Sequence, residues 1–333
     1  MAKKWLAGLI LLAGCGAQEP EQPESEEIQE VARNLDVPWS IEQNEDVFYI
    51  SERSGTIAKV EDGEVLRQQV DLTAPLSDAA EAGLLGFVLT LDFKESNQAY
   101  AYYTYDKDGE PYNRVVTLEL DGSRWRETDI MLDGIRSGTV HHGGRLEIGP
   151  DDALYITIGD ASEPATAQDP DSLNGKIVQI DGSGEAAVYS TGHRNPQGMA
   201  WAEDGTMYAS EHGQSANDEI NIIEEGSNYG WPEIEGPEEA KGLKTPLAAS
   251  GADDTWAPSG MTWHKGELYV ASLRGEAVLN IDPQTADVTK EIEGYGRIRD
   301  VFSDGESLYF VTNNTDGRGN PADGDDKLYR IGE

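Results

Sequence analysis

Four of the five histidines fall in three short motifs: His141-His142-Gly143-Gly144-Arg145, Gly192-His193-Arg194-Asn195-Pro196-Gln197-Gly198 and Ser210-Glu211-His212-Gly213. Imidazole titrates near pH 7 and is the side chain best suited to acid–base work at neutral pH. Arginines at loop and strand-start positions, Arg194, Arg274, Arg297 and Arg299, stand out because the chain holds only 25 Lys and Arg in all. Arg297 and Arg299 flank Ile298, so in an extended strand both project to one face. Several guanidinium groups gathered together make a site for carboxylates or phosphates. Taken singly, these residues also have plainer readings. His142 and His193 read as turn hydrogen-bonders, the Arg297/Arg299 pair as a solvated face, and His264, beside Lys265, as surface. Asp218 and Glu219 admit three readings: a metal pair, hydrogen bonds stapling neighbouring units, or no special part.

The elements that would gather these residues come from a repeat. No long stretch has a convincing 3.6-residue period; short apolar or alternating runs are separated by Gly, Asp, Asn and Pro turns, as in all-β chains. One unit, a short strand, a turn and an aromatic-rich strand, recurs six times. Its copies begin at Pro38-Trp39, Leu85-Gly86, Gly144-Arg145, Gly198-Met199, Gly260-Met261 and Arg299-Asp300, and most continue into a third strand. The spacing of roughly 40 to 60 residues matches four-stranded propeller blades. The expected fold is an all-β, six-bladed β-propeller of four-stranded antiparallel blades over residues 28–333, with loops from every blade converging on an axial funnel. A tandem of immunoglobulin-like units of about 100 residues fits the spacing poorly.

The chain has 333 residues, with 25 Lys and Arg against 63 Asp and Glu, a formal charge of −38. Nucleic acid is excluded as a partner, since phosphate binding needs a basic face, and anionic membrane surfaces are disfavoured for the same reason. So large a charge is expected of a halophilic protein, because molar salt screens its self-repulsion. One cysteine rules out a disulfide framework and multi-cysteine metal sites. That residue, Cys15, follows Lys3, Lys4 and the apolar run Trp5–Ala13. Residues 1–14 have signal-peptide proportions, and Leu12-Ala13-Gly14-Cys15 resembles the bacterial lipobox. The expectation is an exported lipoprotein of the periplasm or envelope, touching the membrane only through a lipid on Cys15. Residues 15–27 form its disordered tether, and Gly16 after the cysteine favours the outer membrane by resemblance.

Together, the motifs resemble the glucose/sorbosone dehydrogenase family, soluble aldose dehydrogenases that use pyrroloquinoline quinone (PQQ). The resemblance spans about Leu35 to Ile331. Besides the histidine motifs it rests on Val37-Pro38-Trp39-Ser40-Ile41, Gly83-Leu84-Leu85-Gly86-Phe87, Asp218-Glu219-Ile220-Asn221, Asn228-Tyr229-Gly230-Trp231-Pro232, Ala257-Pro258-Ser259-Gly260 and Arg297-Ile298-Arg299-Asp300-Val301. It implies oxidation of an aldose at C1 to the lactone, with hydride transfer to PQQ and His141 as general base. It further implies that Arg194, Asn195, Arg297 and Arg299 hold the PQQ carboxylates. Arg274 would lie near the quinone, and Thr255 would join the cofactor site. Ca²⁺ would be held by the backbone carbonyls of Gly213 and Gln214. The electron acceptor, a quinone or a cytochrome, stays open.

Some positions depart from the family. Glu81 stands where Gln is common, and a carboxylate beside an anionic cofactor needs a proton or a cation partner. Gln214 takes a place often held by Pro, and Arg274 replaces a Lys. The short stretch between Met261 and Leu268 suggests a trimmed sugar-selecting rim. Two other readings compete: a propeller that binds without turnover, and a Ca²⁺-dependent lactonase-type hydrolase with a cage of side-chain carboxylates and Asn.

Overall fold

The computed structural model describes Met1 and residues 28–332; the export signal, Cys15 and the tether lie outside the described residues. Local turn chemistry sets much of the architecture. Asp62-Gly63, Asp108-Gly109 and Lys265-Gly266 each join two antiparallel strands, and all six residues have positive φ. That is the geometry a two-residue hairpin demands, which accounts for glycine at the second position.

Four sheets have four strands each. One comprises Gly143–Ile148, Leu154–Ile158, Lys176–Ile180 and Ala186–Thr191. The next comprises Pro196–Trp201, Met207–Glu211, Glu219–Ile223 and Ala248–Ala249. A third holds Pro258–His264, Glu267–Ser272, Ala277–Ile281 and Val288–Glu293. In the fourth, Ile298–Ser303, Leu308–Thr312 and Leu328–Ile331 are completed by Ile28–Ala32 from the other end of the chain.

An eight-stranded sheet contains two antiparallel meanders. The first is Pro38–Asn44, Val47–Glu52, Thr56–Glu61 and Glu64–Asp71. The second is Leu84–Leu89, Gln98–Lys107, Glu110–Asp121 and Arg124–Arg136. Their outer strands pair in parallel from Gln69↔Arg124 to Asp71↔Arg126. Beneath this seam, Trp125 is fully buried edge-on to Phe87 and Tyr49, with its indole N–H donated to Gln68 Oε1 at 2.9 Å. The whole is consistent with a β-propeller.

The first strand of each four-stranded unit lies against the first strand of the next, and Ile298–Ser303 returns to Pro38–Asn44, closing a ring. Side chains lock neighbouring units. Ser40 Oγ accepts from the Phe87 amide at 3.1 Å and donates to its carbonyl at 3.0 Å, while Ser51 Oγ donates to Leu85 O at 2.6 Å. A buried pair crosses between units far apart in sequence, Arg145 Nη1 to Asp300 Oδ2 at 3.1 Å. The same carboxylate oxygen accepts from the Ile41 amide, and the Arg145 guanidinium lies over the Trp39 ring at 4.4 Å. Removing either partner would leave an uncompensated buried charge, the costly case for such pairs.

Two expectations need correction. His264 is not surface: it is 8 % exposed and its Nδ1 lies 2.8 Å from Ser303 Oγ, because it ends a strand facing the neighbouring unit. Nor does the short Met261–Leu268 stretch trim the site. It is the Lys265-Gly266 hairpin at the ends of those strands remote from the arginines, and the residues before it, Met261 to Trp263, line a separate cavity.

Candidate active site

His141 sits in the loop entering strand Gly143–Ile148 with φ 64°, a left-handed conformation that non-glycine residues rarely adopt. Close backbone packing fixes it there: a Cβ on Gly159 would come within 2.0 Å of the His141 carbonyl oxygen. Gly159 in turn delivers Asp160, which is fully buried at the end of strand Leu154–Ile158. His141 Nδ1 lies 2.8 Å from Asp160 Oδ1, and a carboxylate only accepts, so Nδ1 carries the proton. His141 Nε2 therefore presents a lone pair, and Arg194 Nη2 donates to it at 3.0 Å. Acceptor at Nε2 and donor at Nδ1 is the tautomer a general base requires.

Arg194 follows the buried His193, whose ring hydrogen-bonds Glu211 and Ser190 and stacks on Tyr229. Glu211 also accepts the Arg194 amide. The Arg194 guanidinium donates Nη1 to His212 O at 3.2 Å and lies over Trp231 at 5.4 Å, but among the described residues no carboxylate pairs with it. Burial lowers its pKa despite the more distant acids around it. Its Nε and the Nε2 of His212 are buried without a hydrogen-bond partner.

Beyond this pair lies a cavity of about 540 Å³ lined by Arg53, Arg274, Arg297, Arg299 and Arg318, with Glu81 and Glu276 as its only carboxylates among the described residues. Arg299 donates to Gln197 Oε1 at 2.9 Å and Ser259 Oγ at 3.2 Å, and the Asn313 amide, with its oxygen turned inward, accepts from it as well. All three are neutral. Burial, together with the cations Arg53 and Arg297, pushes Arg299 down to about 9. Arg297 is compensated, holding Asp316 Oδ2 at 2.8 Å. Glu81 has found the cation it needs: Arg318 Nη1 lies 2.6 Å from Oε1. Burial alone would raise the Glu81 carboxyl, but Arg318, then His212 and His142, hold it down at about 2.

The sequence-predicted residues thus divide. Glu81, Arg274, Arg297 and Arg299 share the larger cavity, whereas His141, Arg194 and Gln214 line an adjoining one of about 350 Å³. The two meet where Arg194 donates to the carbonyl of His212, a residue of the larger cavity. Asn195 and Thr255 line neither. Asn195 Oδ1 accepts from the Gly143 amide at 3.0 Å, and Thr255 Oγ1 donates to Asp218 Oδ2 at 2.8 Å. Asp218 is a staple: it also accepts from the amides of Gly213, Trp256 and Ala257. Glu219 likewise accepts from Asn221 and the Gly236 amide. Gly213 and Gln214 thus lie in a turn pinned from both sides, by Asp218 and by Glu235 on the Gln214 amide. His142 is the turn hydrogen-bonder expected, held by Ser137 Oγ and Ala80 O.

Sequence reasoning missed Arg53, Arg318, Asp160 and Trp231 as site residues. The scarcity of basic residues could have flagged the arginines, and a carboxylate directly after a strand and glycine could have flagged Asp160.

An all-β fold of propeller type with a guanidinium-lined cavity beside a carboxylate-oriented imidazole is equipped to hold an anion next to a base. The chain belongs to the glucose/sorbosone dehydrogenase family, whose model matches residues 35–329. It is 29 % identical to the aldose sugar dehydrogenase YliI of Escherichia coli over 94 % of this chain and 96 % of that one. It is similar to the PQQ-bound form of an aldose sugar dehydrogenase from Streptomyces coelicolor, with 35 % identity and a TM-score of 0.85 over 93 % of this chain and 99 % of the other. A glucose dehydrogenase-like putative oxidoreductase from Thermus thermophilus gives the same identity and score over 92 % and 99 %.

Proposed function

We propose that this chain is a six-bladed, PQQ- and Ca²⁺-dependent dehydrogenase that oxidises aldoses at C1 to lactones. Six blades are supported by the closed ring of first strands. The observation that carries the cofactor is the pair of buried arginines, Arg194 and Arg299, which have no carboxylate partner among the described residues although the chain has a net charge of −38. Structural cations are expected to be paired. A tricarboxylate would neutralise them and give the orphaned Arg194 Nε an acceptor, so the donor set fits PQQ. Arg194, Arg297 and Arg299 would hold it, with Arg274 near the quinone and Asn195 and Thr255 shaping the loops behind. Ca²⁺ would sit on the carbonyls of Gly213 and Gln214.

Bound PQQ, polarised by Ca²⁺, would supply the acceptor for the C1 hydride. The chain's own residues do the rest. His141 Nε2 takes the proton of the anomeric hydroxyl, and Asp160 holds the Nδ1–H tautomer and stabilises the imidazolium that forms. Arg194 Nη2 occupies that lone pair, so the base comes free when Arg194 turns to another acceptor, such as a cofactor carboxylate. The Glu81–Arg318 pair keeps a carboxylate in an anion-binding cavity at little electrostatic cost. The lactonase-type reading gains no support from acidic side chains, since among the described residues no group of three or more His, Cys, Asp or Glu is placed to hold a metal. We place the enzyme in the envelope, lipid-anchored through Cys15 after loss of residues 1–14, passing electrons to a quinone or cytochrome.

The test is to titrate apo-protein with PQQ in saturating Ca²⁺ at high salt, following the quinone spectrum and aldose-dependent dye reduction. No spectral change would refute the cofactor. Binding without turnover on any aldose would remove the substrate class.

A further inference from the structure

Asp160 fixes the proposed base, and its two carboxylate oxygens are served differently. Oδ1 is shared by His141 Nδ1 and the Ser162 amide, both at 2.8 Å. Oδ2 accepts from the indole Nε1–H of Trp231 at 2.9 Å. Trp231 is 9 % exposed, and other bonds set its place: its amide donates to Gly192 O and its carbonyl accepts from Gln168 Nε2. Gln168 is tied in turn to Asn228 by a reciprocal pair of amide bonds. The indole face underlies the Arg194 guanidinium and lines the cavity onto which His141 opens. Loop Asn228–Trp231 thus reaches the base through Asp160 and the anion-binding arginine through the ring, with two chemically separable contacts.

We propose that Trp231 is a positioning residue for the His141–Asp160 pair: its N–H fixes the Asp160 carboxylate plane and so the aim of the His141 ring, and its face seats Arg194. The inference deepens the dehydrogenase reading and rests on it for its kinetic consequence. A fully buried carboxylate oxygen that loses its donor is free to rotate toward another, and misaim of a base by a fraction of an ångström to 1 Å costs roughly 10- to 100-fold in rate.

Trp231→Phe removes the N–H and keeps the ring face. It is expected to bind PQQ within about twofold of wild type and to lower kcat about tenfold with KM little changed. Because both residues act through one bond, adding Trp231→Phe to Asp160→Asn should lower kcat no further. Trp231→Leu, which also loses the face, should in addition weaken PQQ binding about tenfold. A separate readout uses apo-protein: the His141 Nδ1–H proton resonance, displaced downfield by its bond to Asp160, should move in Trp231→Phe. Should that variant fail to fold, the wild-type Trp231 Nε1–H resonance is followed instead, and it should move in Asp160→Asn. An unmoved resonance overturns the proposal, as does wild-type kcat in Trp231→Phe or full additivity with Asp160→Asn. Failure of the dehydrogenase reading looks different: the resonances move as expected while wild type neither binds PQQ nor oxidises an aldose.

Discussion

Arg299 offers the sharpest test of the anion site, because the same residue should destabilise the protein alone and stabilise it with its ligand. Its pKa falls from the ordinary 12.5 to about 9 through burial first and the cations Arg53 and Arg297 second. At 1.36 kcal/mol per pH unit this corresponds to on the order of 5 kcal/mol held against the charged form. Arginine stays protonated at neutral pH all the same, so the penalty is carried in full below about 9 and would ease only as pH rises beyond it. The bonds to Gln197, Ser259 and Asn313 offset part of it. Arg299→Met removes the buried charge and keeps most of the volume. Apo-protein carrying it should melt at least ~2 °C higher than wild type, about 1 kcal/mol for a chain of this size. PQQ affinity, measured by spectral titration in Ca²⁺, should fall by about 10²- to 10³-fold, the range for losing one side of a buried charge-assisted contact. The ligand-induced rise in melting temperature should shrink in step. A variant that melts well below wild type, with unchanged PQQ affinity, would mean that Arg299 is structural and that its environment was misread.

Four further outcomes are expected. His141→Ala should retain PQQ binding and lose at least ~10²-fold in turnover, measured by dye reduction; near-normal turnover would reassign the base. The Glu81 carboxyl, held at about 2, lends the folded state a stability that is complete above the ordinary 4.5 and is lost as pH falls from there through about 2, where the carboxylate itself is protonated. In Arg318→Gln the Glu81 carboxyl, followed by carbon NMR, should titrate at distinctly higher pH, and an unmoved curve would dismiss the pair. Thermal melts should rise from low to molar salt as the −38 charge is screened; a flat series removes the halophile reading. Cys15→Ser should shift the protein from the membrane fraction to the soluble one, and wild type found wholly soluble with an unmodified N-terminus would sink the anchor.

The inner three strands of each unit were legible because their residues report burial directly. Leu154–Ile158 and Met207–Glu211 are buried at every position, and the aromatic runs through Tyr102 and Phe310 are enclosed by neighbouring sheets. Outer strands gave no such signal. Val288–Glu293 buries only Ile292, and Ala248–Ala249 is two residues long, so each is a strand because a ladder edge is available and not because its side chains ask to be one. Ile28–Ala32, read only as the start of the folded region, closes the last sheet against Leu328–Ile331, a pairing that no local pattern encodes.

The site divides along the same line. His141, Arg194, Arg297 and Arg299 sit in motifs whose glycines and strand starts mark them, so type and spacing reached them. What those motifs could not supply was the partner each one needs, since that comes from a separate loop, within the same unit for His141 and from a different unit for Asp160 and Glu81. Asp160 reaches His141 across 19 residues, Trp231 reaches Asp160 across 71, and Arg318 reaches Glu81 across 237. Glu81 makes the point most directly. From sequence alone a carboxylate beside an anionic cofactor is a conflict that demands a proton or a cation. The fold answers with Arg318, from the loop after strand Leu308–Thr312, and the depressed Glu81 carboxyl records that answer. A mismatch between a residue and its inferred surroundings was therefore informative in its own right: it specified the charge of a missing partner before the partner could be named.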